Sequence, residues 1–365
     1  MTIYPRTTSA LATLALAGAA LTGCASSADA GGDAPTRTYS LATYLAPVGP
    51  HGETIQWVAD EVAARSDGGI EIEPYFSGAL LGADELLNGA KDGRADFVLF
   101  TPQYNPAELP LSQVVSIPFT NSDTLALGAA LTQLDAENAD FQNEWKAAGV
   151  EPLVFVPGTP TVFAGNEEVT GVDWLNGKSI RAAGYLGAAV QAAGGNAVSL
   201  VVGEIYESVE RGLISGYTSV PLDSVASLSL QEVAPFVADA GLGTFGFNTL
   251  AVNSQRWAGM PDADREIIES VLSEYSERYF EILNAKEDEG CDALLEAGGG
   301  VNVWSKSETQ TWAEELGDAP FDQWLQTAGA NGADAQAFYD EYVDAIDAAS
   351  GENPTPSGMA RCAAR

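Results

Sequence analysis

Between residues 39 and 220 the apolar pattern switches repeatedly from a period of two to a helical period, and nothing else in the chain restricts the fold as strongly. Residues 39–44 read as a strand, and 51–65 as a helix with Ile55, Val58 and Val62 on one stripe. Residues 70–76 alternate as a strand, 83–92 read as a helix that Gly93 stops, and 97–101 read as a buried strand. Helix 137–148 and strand 153–156 follow. Beyond Arg181 the order continues as helix 185–193, strand 197–202, helix 204–211 and strand 213–220. Strands alternating with helices need parallel or mixed sheets with helices on their faces, so an α/β fold is expected.

After the N-terminal leader, roughly 330 residues remain, which is long for one core and suits two lobes. Lys91-Asp92-Gly93-Arg94-Ala95-Asp96-Phe97 and Glu210-Arg211-Gly212-Leu213-Ile214-Ser215-Gly216 echo each other as helix, glycine stop and strand. Such an echo fits two lobes built alike. Residues 262–289 form the longest helical run, opened by Pro261 and a capping Asp262. Ile267, Ile268, Val271, Leu272, Tyr275, Tyr279, Ile282 and Leu283 keep its spacing. At the usual rise it would reach about 42 Å, enough to lie across two lobes; the alternative is one frayed helix on a single lobe. From Ser350 onward, glycine and proline predict an irregular tail.

The first residues are leader rather than fold. Arg6 precedes an apolar stretch, Leu11 to Leu21, that is too short to span a bilayer and has the length of a signal-peptide core. It ends in Leu21-Thr22-Gly23-Cys24, small residues before a cysteine, which resembles a bacterial lipobox. Residues 1–23 are then a signal peptide and 24–36 a flexible tether lipidated at Cys24, the alternative being an ordinary cleaved leader. Cys291 and Cys362 remain as a pair in an exported chain, either bonded or as two inert thiols. With 51 acidic and 16 basic residues the chain has a formal charge of −35. That field argues against nucleic acid or an anionic membrane surface as partner.

In so acidic a chain, a cation aimed into a cleft is the natural holder of an anion. Asp173-Trp174-Leu175-Asn176 reads as a capped turn and residues 178–182 as a short strand, with Ser179 and Arg181 on one face and Ile180 on the other. Gly184 ends it, leaving Arg181 at the carboxyl end, where open α/β sheets hold ligands. The other reading pairs Arg181 with one of the many carboxylates. Gly241-Leu242-Gly243-Thr244-Phe245-Gly246 matches a dinucleotide fingerprint in letters, but a strand is expected after it where the fingerprint needs a helix. Residues 171–179 are one residue too long for a P-loop. One histidine, His51, excludes multi-histidine metal sites and gives weak support to triad catalysis. No metal, cofactor or catalytic residue is expected. A carboxylate pair among 51 acids is always available and marks nothing.

Several segments, taken in order, resemble the solute-binding proteins of TRAP transporters, the dicarboxylate-binding family. They are Phe76-Ser77-Gly78-Ala79-Leu80-Leu81-Gly82, Gly93-Arg94-Ala95-Asp96, Ile117-Pro118-Phe119, the run from Trp174 to Arg181, the run from Glu204 to Gly212, and Asn253 with Trp257. The resemblance implies a two-lobed periplasmic-binding-protein-like fold with a long helix spanning both lobes. It assigns residues 37–158 and 247–287 to one lobe, 159–246 and 288–350 to the other, and 351–365 to a tail. It implies an organic-acid ligand held by Arg181 and delivered to TRAP permease subunits, with the lipid on Cys24 as the one attachment to the membrane. Tyr44, Tyr104, Phe163, Tyr217, Ser219 and Asn248 are expected to line the cleft. No second arginine stands near Thr159–Ala164, which favours a monocarboxylate with an apolar or aromatic body over a dianion. An ABC-type binding protein or a surface hydrolase are the competing readings.

Overall fold

The computed structural model describes residues 35–351 and 357–365, so the leader and the proposed lipidation of Cys24 lie outside the described residues. Eleven strands are described: β1 (Arg37–Thr43), β2 (Ile70–Tyr75), β3 (Phe97–Phe100), β4 (Val150–Pro157), β5 (Phe163–Gly165), β6 (Ser179–Arg181), β7 (Asn196–Val198), β8 (Gly216–Tyr217), β9 (Phe236–Asp239), β10 (Phe247–Asn253) and β11 (Gly300–Val303). They form two sheets, ordered β2-β1-β3-β10-β4 and β11-β9-β5-β8-β6-β7. β1 runs parallel to β2 and β3, whereas β10 enters antiparallel between β3 and β4.

Helices cover both faces of each sheet. All four residues of β3 are buried: Val98 and Phe100 face one core, Phe97 and Leu99 the other. A strand covered on both sides reads as an unbroken apolar run, which is why 97–101 was legible as buried. The second sheet likewise packs between two cores, one around Tyr217 and Leu222, the other around Phe163 and Trp312.

The long run at 262–289 is two helices, Asp262–Leu272 and Tyr275–Glu296, broken at Ser273 and Glu274. The second has 22 residues, a length of about 33 Å. Its Tyr275, Tyr279 and Leu283 belong to the first lobe's core and its Cys291 and Leu294 to the second's, so this bridging helix spans both lobes. The C-terminal region corrects the expected lobe division. Helix Lys306–Leu316 sits on the second lobe through Trp312. Helices Ala319–Ala328 and Ala335–Ala349 return to the first. Phe338, Tyr342, Ala345 and Ile346 form one helical stripe, and burying it in that lobe's core fixes the return.

The tail also departs from its irregular reading, because Gly358–Ala363 is helical. Cys362 in it is bonded to Cys291 on the bridging helix, Cα to Cα 5.6 Å. Arg361 adds an ion pair to the buried Glu287 at 3.0 Å, and Arg365 reaches Asp288 and Asp292 at 2.9 and 2.6 Å.

The chain leaves the first lobe after Pro157 and re-enters it before Phe247, and the two crossings are tied together. Gly158 N donates to Gly246 O at 3.1 Å, and Thr244 Oγ1 donates to Gly158 O at 3.2 Å. Gly243 has φ +84°, and a Cβ there would lie 1.9 Å from Asn121 O, so a side chain is excluded twice over. The glycines that mimic a dinucleotide fingerprint therefore build a crossing, and the element after them is strand β10.

Candidate ligand-binding site

A cavity of about 650 Å³ lies where the lobes meet the crossings. Tyr44 follows β1, Thr101 and Tyr104 follow β3, and Ser219 follows β8, so the wall is built at carboxyl ends of strands from both sheets. Asn248 on β10 and Tyr279 on the bridging helix complete one side.

A directional hydrogen-bond chain runs along this wall. Thr101 Oγ1 donates to Asn248 Oδ1 at 2.9 Å, so the Tyr44 hydroxyl, 2.8 Å away, must donate to Thr101. With its oxygen engaged, Asn248 turns its amide nitrogen to His51 Nε2 at 3.0 Å, where Tyr279 OH also approaches at 3.3 Å. His51 Nε2 is thereby the acceptor, which assigns the ring proton to Nδ1. Nδ1 is buried and has no hydrogen-bond partner. Burial lowers the His51 pKa to about 3, keeping the ring neutral. It also raises the Tyr44 hydroxyl, so Tyr44 is a neutral donor.

Arg181 lies at the far end of this chain and is 1% exposed. Its Nε donates to Leu200 O at 3.0 Å, and Nη1 donates to Thr218 O and Ser219 O at 3.0 and 3.1 Å. Ser219 adopts φ +61°, uncommon for a side-chain-bearing residue, and its hydroxyl accepts from Ala183 N at 3.0 Å. No Asp or Glu pairs with Arg181 among the described residues; main-chain carbonyls fix it instead. Burial pulls its pKa down, opposed by the nearby Tyr104 and Tyr44 hydroxyls. The guanidinium is not itself on the cavity wall; Tyr104 and Ser219, which are, stand next to it.

Tyr44, Tyr104, Ser219 and Asn248 thus line the cavity. Phe163 and Tyr217 do not, and both are corrected to core residues. Phe163 stacks on Trp304 with ring centroids 6.2 Å apart and packs on Trp312, because its side of β5 is covered by helix Lys306–Leu316. Tyr217 packs with Leu222 and Leu294, and its hydroxyl is buried without a partner. The sequence reading missed Asp223, Thr159 and Tyr279 on the wall. Asp223, in the first turn of helix Leu222–Ser227, is 6% exposed and accepts from Ser224 Oγ at 3.2 Å. Burial, with the nearby Glu287 adding to it, raises its pKa to about 7. Among the described residues Asp223 is the one carboxyl on the wall, which carries no lysine or arginine. Among the described residues no cluster of His, Cys, Asp and Glu could hold a metal ion.

The family model described as Bacterial extracellular solute-binding protein, family 7, matches residues 41–320, and the chain belongs to that family. The ectoine-binding periplasmic protein TeaA of Halomonas elongata is 22% identical over 288 residues, 77% of this chain and 82% of that protein. The C4-dicarboxylate-binding periplasmic protein DctP of Rhodobacter capsulatus is 22% identical over 276 residues, 74% of this chain and 82% of that one. A TRAP solute-binding protein from Rhodoferax ferrireducens, solved with copurified benzoate, superposes with a TM-score of 0.78 at 21% identity, covering 86% of this chain and 98% of that one. By membership the chain is an extracytoplasmic solute-binding protein of the class that serves TRAP transporters, and these relatives are binding proteins rather than enzymes.

Proposed function

We propose that this protein captures an organic acid outside the cytoplasm and passes it to the membrane subunits of a TRAP transporter, with Arg181 as the carboxylate anchor. One observation carries the reading: a buried guanidinium held by three carbonyls through Nε and Nη1, next to a cavity wall. That arrangement fixes the guanidinium and leaves its Nη2 donors for a carboxylate, and the cost of ordering it is met in folding rather than in binding. The ligand carboxylate reaches the guanidinium past Tyr104, with Ser219 and Asn248 on the same wall as further polar groups. Ectoine, C4-dicarboxylates and benzoate, named for the relatives, all carry a carboxylate, which supports this choice of anchor. Among the described residues the wall itself carries no lysine or arginine to add to Arg181, so a single carboxylate fits better than a dianion.

Calorimetry with organic acids tests the anchor. Arg181→Ala is expected to weaken binding at least tenfold to about a hundredfold, since about 1.4 kcal/mol is one decade. Arg181→Lys keeps the charge without the planar guanidinium that the three carbonyls hold, and is expected to fall between the two. Wild-type affinity in folded Arg181→Ala would end the reading. A lipid on Cys24 tethers the protein to the outer face of the cytoplasmic membrane in the same proposal. Fatty-acid labelling should then disappear in Cys24→Ala, and labelling that persists there would remove the tether.

A further inference from the structure

We infer that Asp223 is the second pole of this site, and that the ligand is a carboxylate that also carries a protonated nitrogen and has no net charge. The inference rests on Arg181 being the carboxylate anchor. It starts from an imbalance: among the described residues the wall holds one acid, no lysine or arginine, and a histidine that burial keeps neutral. The groups around Asp223 do not restore the balance. On its own helix Ser224 gives one long bond of 3.2 Å. From the bridging helix Tyr279 and Glu287 are near enough to act on it electrostatically, and Glu287 already has its cation, Arg361 of the C-terminal helix, at 3.0 Å. His51, from helix Pro50–Arg65, packs tilted against Tyr279 with ring centroids 4.7 Å apart and is neutral. Among the described residues no lysine or arginine forms an ion pair with Asp223, and none is a main cause of its shift.

A second observation points into the same corner. Thr159 is 7% exposed and lines the cavity. Its hydroxyl stands close enough to draw the Asp223 pKa down, yet makes no well-formed hydrogen bond. A buried carboxylate without a cation is costly, and a ligand that brings the cation removes that cost on binding. The long-range field agrees. A chain of charge −35 repels a simple anion on approach but not a dipolar molecule without net charge. Arg181 and Asp223 then meet the two ends of one ligand.

Calorimetry on the mature chain with matched pairs tests this, each pair differing in an ammonium against a methyl. Para-(aminomethyl)benzoate against para-ethylbenzoate and γ-aminobutyrate against pentanoate sample aromatic and aliphatic bodies. At about pH 8, a zwitterion should bind at least about tenfold more tightly than its partner. In Asp223→Asn that preference should vanish while the plain acid binds as well or better. In the wild type it should also shrink severalfold at about pH 6, as Asp223 gains its proton, which needs no variant to fold. A plain acid that binds as tightly as its zwitterion, a preference that survives Asp223→Asn, or no zwitterion binding at all would overturn the inference. Plain-acid binding that needs Arg181 but shows no preference sinks Asp223 alone. Binding indifferent to Arg181 sinks the anchor reading itself.

Discussion

The two ends of the cavity solve opposite problems. Arg181 is a buried cation whose surroundings were built for it, with three carbonyls aimed at its donors and Ser219 turned into a left-handed conformation beside it. Asp223 is a buried acid with one long bond and an acidic neighbour. One charge is satisfied by the protein's own groups and the other is not. A satisfied charge gives geometry, whereas an unsatisfied one stores a cost that a partner can relieve.

The largest expected effect comes from the clasp that supports the acidic end. The Cys291–Cys362 bond closes a separation of 71 residues, for which chain entropy suggests about 4 kcal/mol. Cys291→Ala with Cys362→Ala should lower the denaturation midpoint accordingly and free Arg361 from Glu287, so that Asp223 is disturbed while Arg181 is not. An unchanged midpoint would remove the clasp from the comparison. A smaller effect is a slope. The folded chain holds the Asp223 proton up to about pH 7, against an ordinary value near 4. Its contribution therefore favours folding at low pH and is lost as pH rises between those values. Asp223→Asn should flatten that part of the melting-temperature profile, leaving the slope from Glu144, likewise raised to about 7 by burial. Identical profiles would show that Asp223 is already compensated. The smallest effect is a non-event at His51. Nitrogen NMR should find a neutral ring protonated at Nδ1 throughout the range where an ordinary histidine titrates, and a midpoint near 6.5 would contradict the assigned chain.

Much of the fold was legible because burial writes a period into the sequence. β3 reads as buried since both its faces are, and the bridging helix reads as long since its stripe serves two cores in turn. The break at Ser273 escaped notice because Leu272 and Tyr275 keep helical spacing across it. Side-chain direction within very short strands was not legible. Phe163 and Tyr217 lie on strands of three and two residues, too short for alternation to declare a face. Asp223 escaped for a different reason. Among 51 acids nothing local marks one as buried. The available signal was position, two residues after Pro221 in the segment that follows β8 past Ser219.

The place of β10 has a consequence for the order in which the molecule assembles. In the first sheet β4 has one neighbour, β10, and β10 is made only after the chain has been through β5 to β9. While the chain emerges from its N-terminus, Val150–Pro157 must wait with unpaired edges beside a half-finished sheet. Pairings so distant in sequence form late and leave sticky intermediates. The first lobe to be synthesised is thus completed after most of the second has been made, and a chain arrested before Phe247 would have neither β10 nor a partner for β4.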